Sequence, residues 1–163
     1  MINMKINESW YIRPKGVKLR VRIGAGGVIV RCAQRKLLVC LVKADYWKDY
    51  ILPKGGMEDG ETPLKTAIRE IGEETGLNQL KMVKKLGIRQ RMGFSKEYWS
   101  KMHYFLFLTE QVDGKATDPN ECYRPQWFEI DNLPPMFWPE QKELIEGNKQ
   151  IIKSLFKRED GIL

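Results

Sequence analysis

Between residues 62 and 76 the chain carries a closed helix signal. Thr62 is an N-cap residue type, Pro63 follows at the first helical position, and Gly76 supplies the stop. Leu64, Ala67, Ile68 and Ile71 recur at three- and four-residue spacing, which predicts one buried face. At ~100° per residue, Ala67, Ile68 and Ile71 fall within roughly 60° of Leu64, whereas Glu70, Glu73 and Glu74 fall between roughly 180° and 280°. Three carboxylates therefore share one flank. Like charges at such spacings cost a helix ~0.2–0.5 kcal/mol per pair, and the dipole disfavours them further near the C-terminal end. A divalent cation taking carboxylate oxygens as ligands relieves the conflict. Geometry alone leaves a solvated acidic face as an equal alternative.

The surroundings of this helix read as strands. Gly16 to Val30 is a strand region in which Leu19, Val21 and Ile23 alternate with Lys18, Arg20 and Arg22. Gly24, Gly26 and Gly27 do not fit the spacing of a dinucleotide loop and predict close backbone packing or a bulge. Leu37 to Val42 follows through a hairpin at Ala33–Lys36, and Trp47 to Leu52 reads as a third short strand ended by Pro53. Lys54 to Gly60 reads as a glycine-rich loop. Beyond the helix come Lys81–Met92 and Met102–Val112, joined by an aromatic connection with Phe94, Tyr98 and Trp99. A polar loop (Asp113 to Arg124), a strand at Gln126–Ile130 and a C-terminal helix from Pro139 to Phe156 complete the order. Strands alternating irregularly with two helices predict an α/β (α+β) class with a mixed sheet, in a single domain over residues 1–163.

The linear pattern removes the ambiguity of the acidic flank. Gly55, Glu61, Arg69, Glu70, Ile71, Glu73, Glu74, Gly76 and Leu77 spell G-x5-E-x7-R-E-U-x-E-E-x-G-U, with U apolar. With each fixed residue type present at ~5–7%, a chance match at a given start is on the order of one in a billion. The segment Gly55–Leu77 resembles the complete signature of the Nudix hydrolase family, MutT-like members included, and the resemblance extends over roughly residues 21–134.

The resemblance implies a mixed sheet sandwiched between α-helices, with the signature forming a loop–helix–loop. It implies hydrolysis of a nucleoside diphosphate linked to another moiety, with Mg²⁺ or Mn²⁺. Glu70, Glu73 and Glu74 are then the expected metal ligands, one of them a possible base for the attacking water. Arg69 and Glu61 resemble the ion pair that orients these glutamates, Gly55 is the loop glycine, and the carbonyl of Lys54 is a further candidate ligand. MutT-like members also place a glutamate on a loop six residues before a strand tryptophan; Glu121, six before Trp127, is the matching candidate.

Charge bears on the substrate. The first fifty residues hold eleven Lys and Arg against three Asp and Glu, within an overall net charge of +7. A basic segment suits a polyanionic partner as well as a solvated strand face. Lys54, Arg20 and Arg22 are candidate phosphate-binding residues, and Gly55 is a further substrate-binding candidate. Of the aromatic residues Phe94, Tyr98, Trp99 and Trp138, all able to pack a rim or to stack on a base, Tyr98 and Trp99 are the substrate-binding candidates. A small phosphorylated substrate is expected, a dinucleoside polyphosphate ranked slightly first. Diphosphoinositol polyphosphates, ADP-ribose, oxidised nucleoside triphosphates and RNA 5′ ends stay open, as does a nucleotide-sensing module without catalysis. Nucleic acid is possible but not favoured as a partner, and a monomer or homodimer is expected.

The single histidine, His103, excludes a multi-histidine zinc site and leaves an all-oxygen site for a hard cation. Cys32, Cys40 and Cys122 form no C-x-x-C pair; Cys32 and Cys40 read as core residues of a reducing cytoplasm. No apolar run approaches the ~20 residues of a membrane span, and residues 1–15 contain no apolar signal-peptide segment.

Overall fold

A computed structural model describes residues 5–44, 47–117 and 123–160, with the side chains of 158–160 outside the description. After a short 3-10 turn at Glu8–Tyr11, the elements run β1 (Arg20–Ala33), β2 (Lys36–Leu41), β3 (Lys54–Gly56), α1 (Pro63–Thr75), β4 (Lys81–Met92), β5 (Tyr98–Leu108), β6 (Gln126–Glu129) and α2 (Pro139–Asp160). They form a six-stranded sheet of order β4-β5-β1-β2-β6, with β3 also paired to β1.

β1 organises the sheet. On one side it runs parallel to β5 from Arg20↔Tyr98 to Val30↔Leu108. On the other its C-terminal part pairs with β2 and its middle, Gly24 to Gly26, pairs with β3. The β1–β2 turn has Gln34 and Arg35 both at positive φ, as a two-residue hairpin requires. Alternation then sorts the side chains. Ala25, Ile29, Phe105 and Phe107 pack with Ala67 and Ile71 of α1. Val28, Val30, Tyr104 and Leu106 pack on the opposite face with Leu144, Ile145 and Ile152 of α2. The sheet is therefore sandwiched between the two helices. The glycines at 24, 26 and 27 are close-approach positions: a Cβ would meet Gly55 O, Pro53 O and the Phe107 ring respectively.

Four expectations are corrected. Trp47–Leu52 is not a strand, because its pairing changes neighbour from residue to residue: Ile51 bonds Val42 in both directions, while Tyr50 bonds Pro135 and Phe137. Lys54–Gly56 is strand rather than loop. Tyr98 and Trp99 open β5 instead of lying in the connection before it. Ile68 is 43% exposed, because the buried stripe of α1 is turned toward the glutamates and contains Thr66, Ala67, Ile71, Glu74 and Thr75. Boundaries also shift: β1 starts at Arg20, β5 ends at Leu108, β6 stops at Glu129 and α2 continues to Asp160.

The ends of α1 form as expected. Thr62 Oγ1 accepts from Lys65 N at 3.3 Å, and Gly76 caps the C-terminus at φ +72°. A Cβ at Gly76 would fall on the backbone of Gly114 and Lys115, whereas Gly60, at φ +81°, faces open space. Gly60→Ala thus bears only the left-handed backbone penalty, about 1–2 kcal/mol. Gly76→Ala bears that penalty and must also displace a packed loop. Urea unfolding is expected to show a stability loss for Gly76→Ala at least about twice that of Gly60→Ala.

Candidate active site

One guanidinium joins α1 to the segment before it. Arg69 Nε and Nη2 donate to the two carboxylate oxygens of Glu61 at 2.7 and 3.0 Å. Nη1 donates to Glu70 Oε1 at 2.8 Å and to Glu73 Oε2 at 3.0 Å. Nη2 also reaches the carbonyl of Gly56 at 2.8 Å. All five N–H donors of the side chain are thereby engaged. Glu61 is fixed in turn by Glu58 N at 3.0 Å and Thr66 Oγ1 at 2.7 Å.

Glu74 is held differently. It lies one helical turn beyond Glu70, is 3% exposed, and its Oε2 accepts from Lys54 N at 2.9 Å. That bond sets the Lys54 backbone beside the carboxylate. Gly55, the next residue, has the carboxylate of Glu70 where a Cβ would stand. The glycine is required there because any side chain would occupy the glutamate's place.

Electrostatics follow from these contacts. Hydrogen bonds from Arg69, Glu58 N and Thr66 lower the Glu61 pKa to about 2. Burial raises the Glu70 carboxyl above its ordinary value, against the opposing pull of Arg69. The Arg69 guanidinium is raised above its ordinary value, chiefly by its bonds to Glu61. Burial and the nearby Glu74 push the Cys40 thiol up to about 12, so it is an unreactive core residue.

Glu70, Glu73 and Glu74 together offer only oxygen donors beside a glycine cradle, which suits a hard divalent cation. Among the described residues no group of three His, Cys, Asp or Glu side chains is drawn tightly enough to chelate; two of these carboxylates are bonded to Arg69. Glu73, 40% exposed, retains the most access to solvent. Glu121 lies outside the described residues.

On the face of the sheet opposite α1, a cleft is lined by Arg22, Lys54, Gly56, Arg91, Tyr98 and Ser100, among others. Four of the substrate-binding candidates, Lys54, Gly55, Arg22 and Tyr98, are therefore brought together. Trp99 is not with them. As the neighbour of Tyr98 in a strand it points to the other face, where it is buried and its Nε1 donates to Gln90 Oε1 at 3.0 Å. Arg20 is exposed and does not line the cleft. Phe94 and Trp138 pack against Trp47 and Phe137 instead of opening to a ligand.

A model of the NUDIX domain matches residues 20–147. The chain belongs to the NUDIX family. It is accordingly a hydrolase of pyrophosphate bonds, the class that the signature implied. A Bacillus subtilis protein assigned as an 8-oxo-dGTP diphosphatase is 32% identical over 127 residues, which is 77% of this chain and 78% of that protein. Human diphosphoinositol polyphosphate phosphohydrolase 2 is 26% identical over 132 residues, 81% of this chain and 69% of its own. The Ap4A hydrolase of C. elegans, solved as a binary complex, superposes with TM-score 0.68 at 22% identity, covering 82% of this chain and 98% of that one. This last likeness speaks to the fold.

Two residues of this Nudix chain escaped the sequence reading. Arg91 and Ser100, both buried, line the cleft from β4 and β5. Their signal was available: a basic and a small polar residue at strand positions that alternation assigns to the core.

The Glu61–Arg69 pair makes a pH-dependent contribution whose sign is fixed. The folded-state pKa of Glu61 lies below its ordinary value of 4.5, so the stability is complete above that value and is lost as pH falls toward 2. Arg69→Ala is expected to be less stable than wild type at pH 7. The gap should narrow steadily between pH 4.5 and 2 in urea titrations.

Proposed function

We propose that this chain is a Mg²⁺- or Mn²⁺-dependent pyrophosphohydrolase of small, phosphate-rich nucleotide compounds, a dinucleoside polyphosphate first among them. Residues 1–163 act in this reading as one domain, in the cytoplasm. The observation that carries it is the arrangement of α1 against β3. Of three glutamates on one helix, one occupies the space that a glycine leaves, two share a fully engaged arginine, and the third is fixed by a backbone N–H. A solvated acidic face has no need of such constraints.

Glu70, Glu73 and Glu74 would hold the cation. When bound, it neutralises the anionic bridge and lowers the pKa of a coordinated water. The chain's own residues do the rest. Arg69 keeps Glu70 and Glu73 in fixed rotamers, so little reorganisation is needed when substrate arrives. Lys54 N–H orients Glu74 through Oε2. One of the three carboxylates accepts the proton of the attacking water. Lys54 and Arg22 attract the phosphates and shield their charge. The retained glutamate set and the anion-compatible cleft support catalysis over simple sensing.

Assays of a panel of pyrophosphate compounds, with products identified, test the reading. Hydrolysis is expected to cease in excess chelator and to return with Mg²⁺ or Mn²⁺; turnover in metal-free solution would overturn it. Glu74→Gln keeps an acceptor for Lys54 N–H and should fold normally. Its turnover is expected to fall by about 10²-fold or more, as measured by steady-state kinetics beside a circular dichroism spectrum.

A further inference from the structure

The cleft across β3 from the glutamates has three cationic side chains, Arg22, Lys54 and Arg91, and no Asp or Glu among its lining residues. Register places Arg22, Ser100 and Arg91 in one row across β1, β5 and β4. Arg91 is the unusual member, since its side chain is 5% exposed. Its Nε donates to Glu140 Oε1 at 2.8 Å and its Nη1 to the carbonyl of Met92 at 3.0 Å. Its guanidinium lies over the Trp138 ring, 3.1 Å from the centroid. Glu140 is also bonded by Tyr11 Oη at 2.7 Å. The guanidinium is thus locked on two sides, and among the described residues Nη2 makes no such bond. Glu140 balances one positive charge; nothing in the lining balances Arg22.

Tyr98 bears on what this cleft accepts. Arg22 lies over one face of its ring at 4.7 Å. Gly93 lies against the ring as well, at a position where a Cβ would strike it. With Arg22 over one face and Gly93 against the ring, Tyr98 is a poor platform for a nucleobase. A cleft with one fixed and two further cations, a buried hydroxyl and an aromatic ring already occupied by an arginine fits phosphate oxygens.

We propose that this cleft is a subsite for a second phosphate group of the substrate, remote from the bond that is cut, with Arg91 as its fixed centre and Glu140 and Tyr11 as positioning residues. The proposal rests on the pyrophosphohydrolase reading and narrows it: the moiety beyond the scissile bridge is recognised by phosphate rather than by base. That phosphate belongs to a linear chain or to a phosphorylated ring.

Calorimetric titration of the full chain without divalent cations separates the possibilities. The probes are inorganic tripolyphosphate, inositol hexakisphosphate and adenosine. Both phosphate compounds are expected to bind and adenosine to bind far more weakly; the tighter of the two identifies chain or ring. Arg22→Gln and Arg91→Lys should each weaken phosphate binding by about tenfold or more, as loss of a charge-assisted hydrogen bond requires. Lys157→Gln, which removes the same charge elsewhere, should change it less than about twofold. If Arg91→Lys does not fold, Arg22→Gln decides. For a substrate that is turned over, Tyr11→Phe should raise KM and leave kcat nearly unchanged. Equal phosphate affinity in Arg22→Gln and wild type, an equal loss in Lys157→Gln, or adenosine binding as tight as tripolyphosphate would overturn the proposal. Arg22-dependent phosphate binding in a protein that hydrolyses nothing would instead refute the hydrolase reading and leave the subsite standing.

Discussion

The Arg69 guanidinium is the constraint on which the site depends. Glu61 lies before α1, Glu70 and Glu73 lie on it, and the Gly56 carbonyl belongs to β3; one planar group ties all of them. A lysine could not take its place, since an ammonium has three donors and no fixed fork. The geometry also explains why carboxylates crowd the C-terminal half of a helix that would otherwise reject them. The arginine relieves the repulsion between Glu70 and Glu73 and leaves Glu73 open to solvent. It preserves a concentration of negative charge that the helix alone would not hold.

A second set of bonds ties this site to the rest of the molecule. Gln141 of α2 is fully buried; its Oε1 accepts from Leu52 N at 2.8 Å and its Nε2 donates to Tyr104 Oη at 2.9 Å. Leu52 lies two residues before β3. The C-terminal helix therefore braces the approach to the glycine strand from the face opposite α1. Buried polar groups with both partners satisfied give rigidity as well as stability.

Much of this was legible in the residues. Helix α1 was readable to its caps because Thr62, Pro63 and Gly76 act locally, whatever packs around them. The glutamate signature was readable because fixed spacing on a helix fixes direction. Trp47–Leu52 was not, since its apolar pattern fits a strand while its hydrogen bonds alternate between two neighbours. Trp99 was misplaced for a related reason: its type suggests stacking, but only the strand register decides which face it joins. Arg91 was missed because its partners, Glu140 and Trp138, lie more than forty residues away in sequence: alternation points the side chain inward, but nothing local says what would hold its charge there. Ile68 looked apolar and internal, whereas tertiary packing turned the helix to bury Thr66 and Glu74.

The division between the two faces of the sheet has a consequence for how such a protein diversifies. The groups proposed for chemistry sit on α1 and β3 and are bound to one another, so a change in any of them disturbs several bonds. Apart from β3 itself, which belongs to both, the groups lining the cleft project from the ends of β1, β4 and β5 and stand outside that network. Inherited substitutions at Arg22, Tyr98 or Ser100 can therefore redirect what is recognised while the cutting apparatus descends unaltered. One scaffold can in this way found a lineage of enzymes that share a reaction and differ in diet.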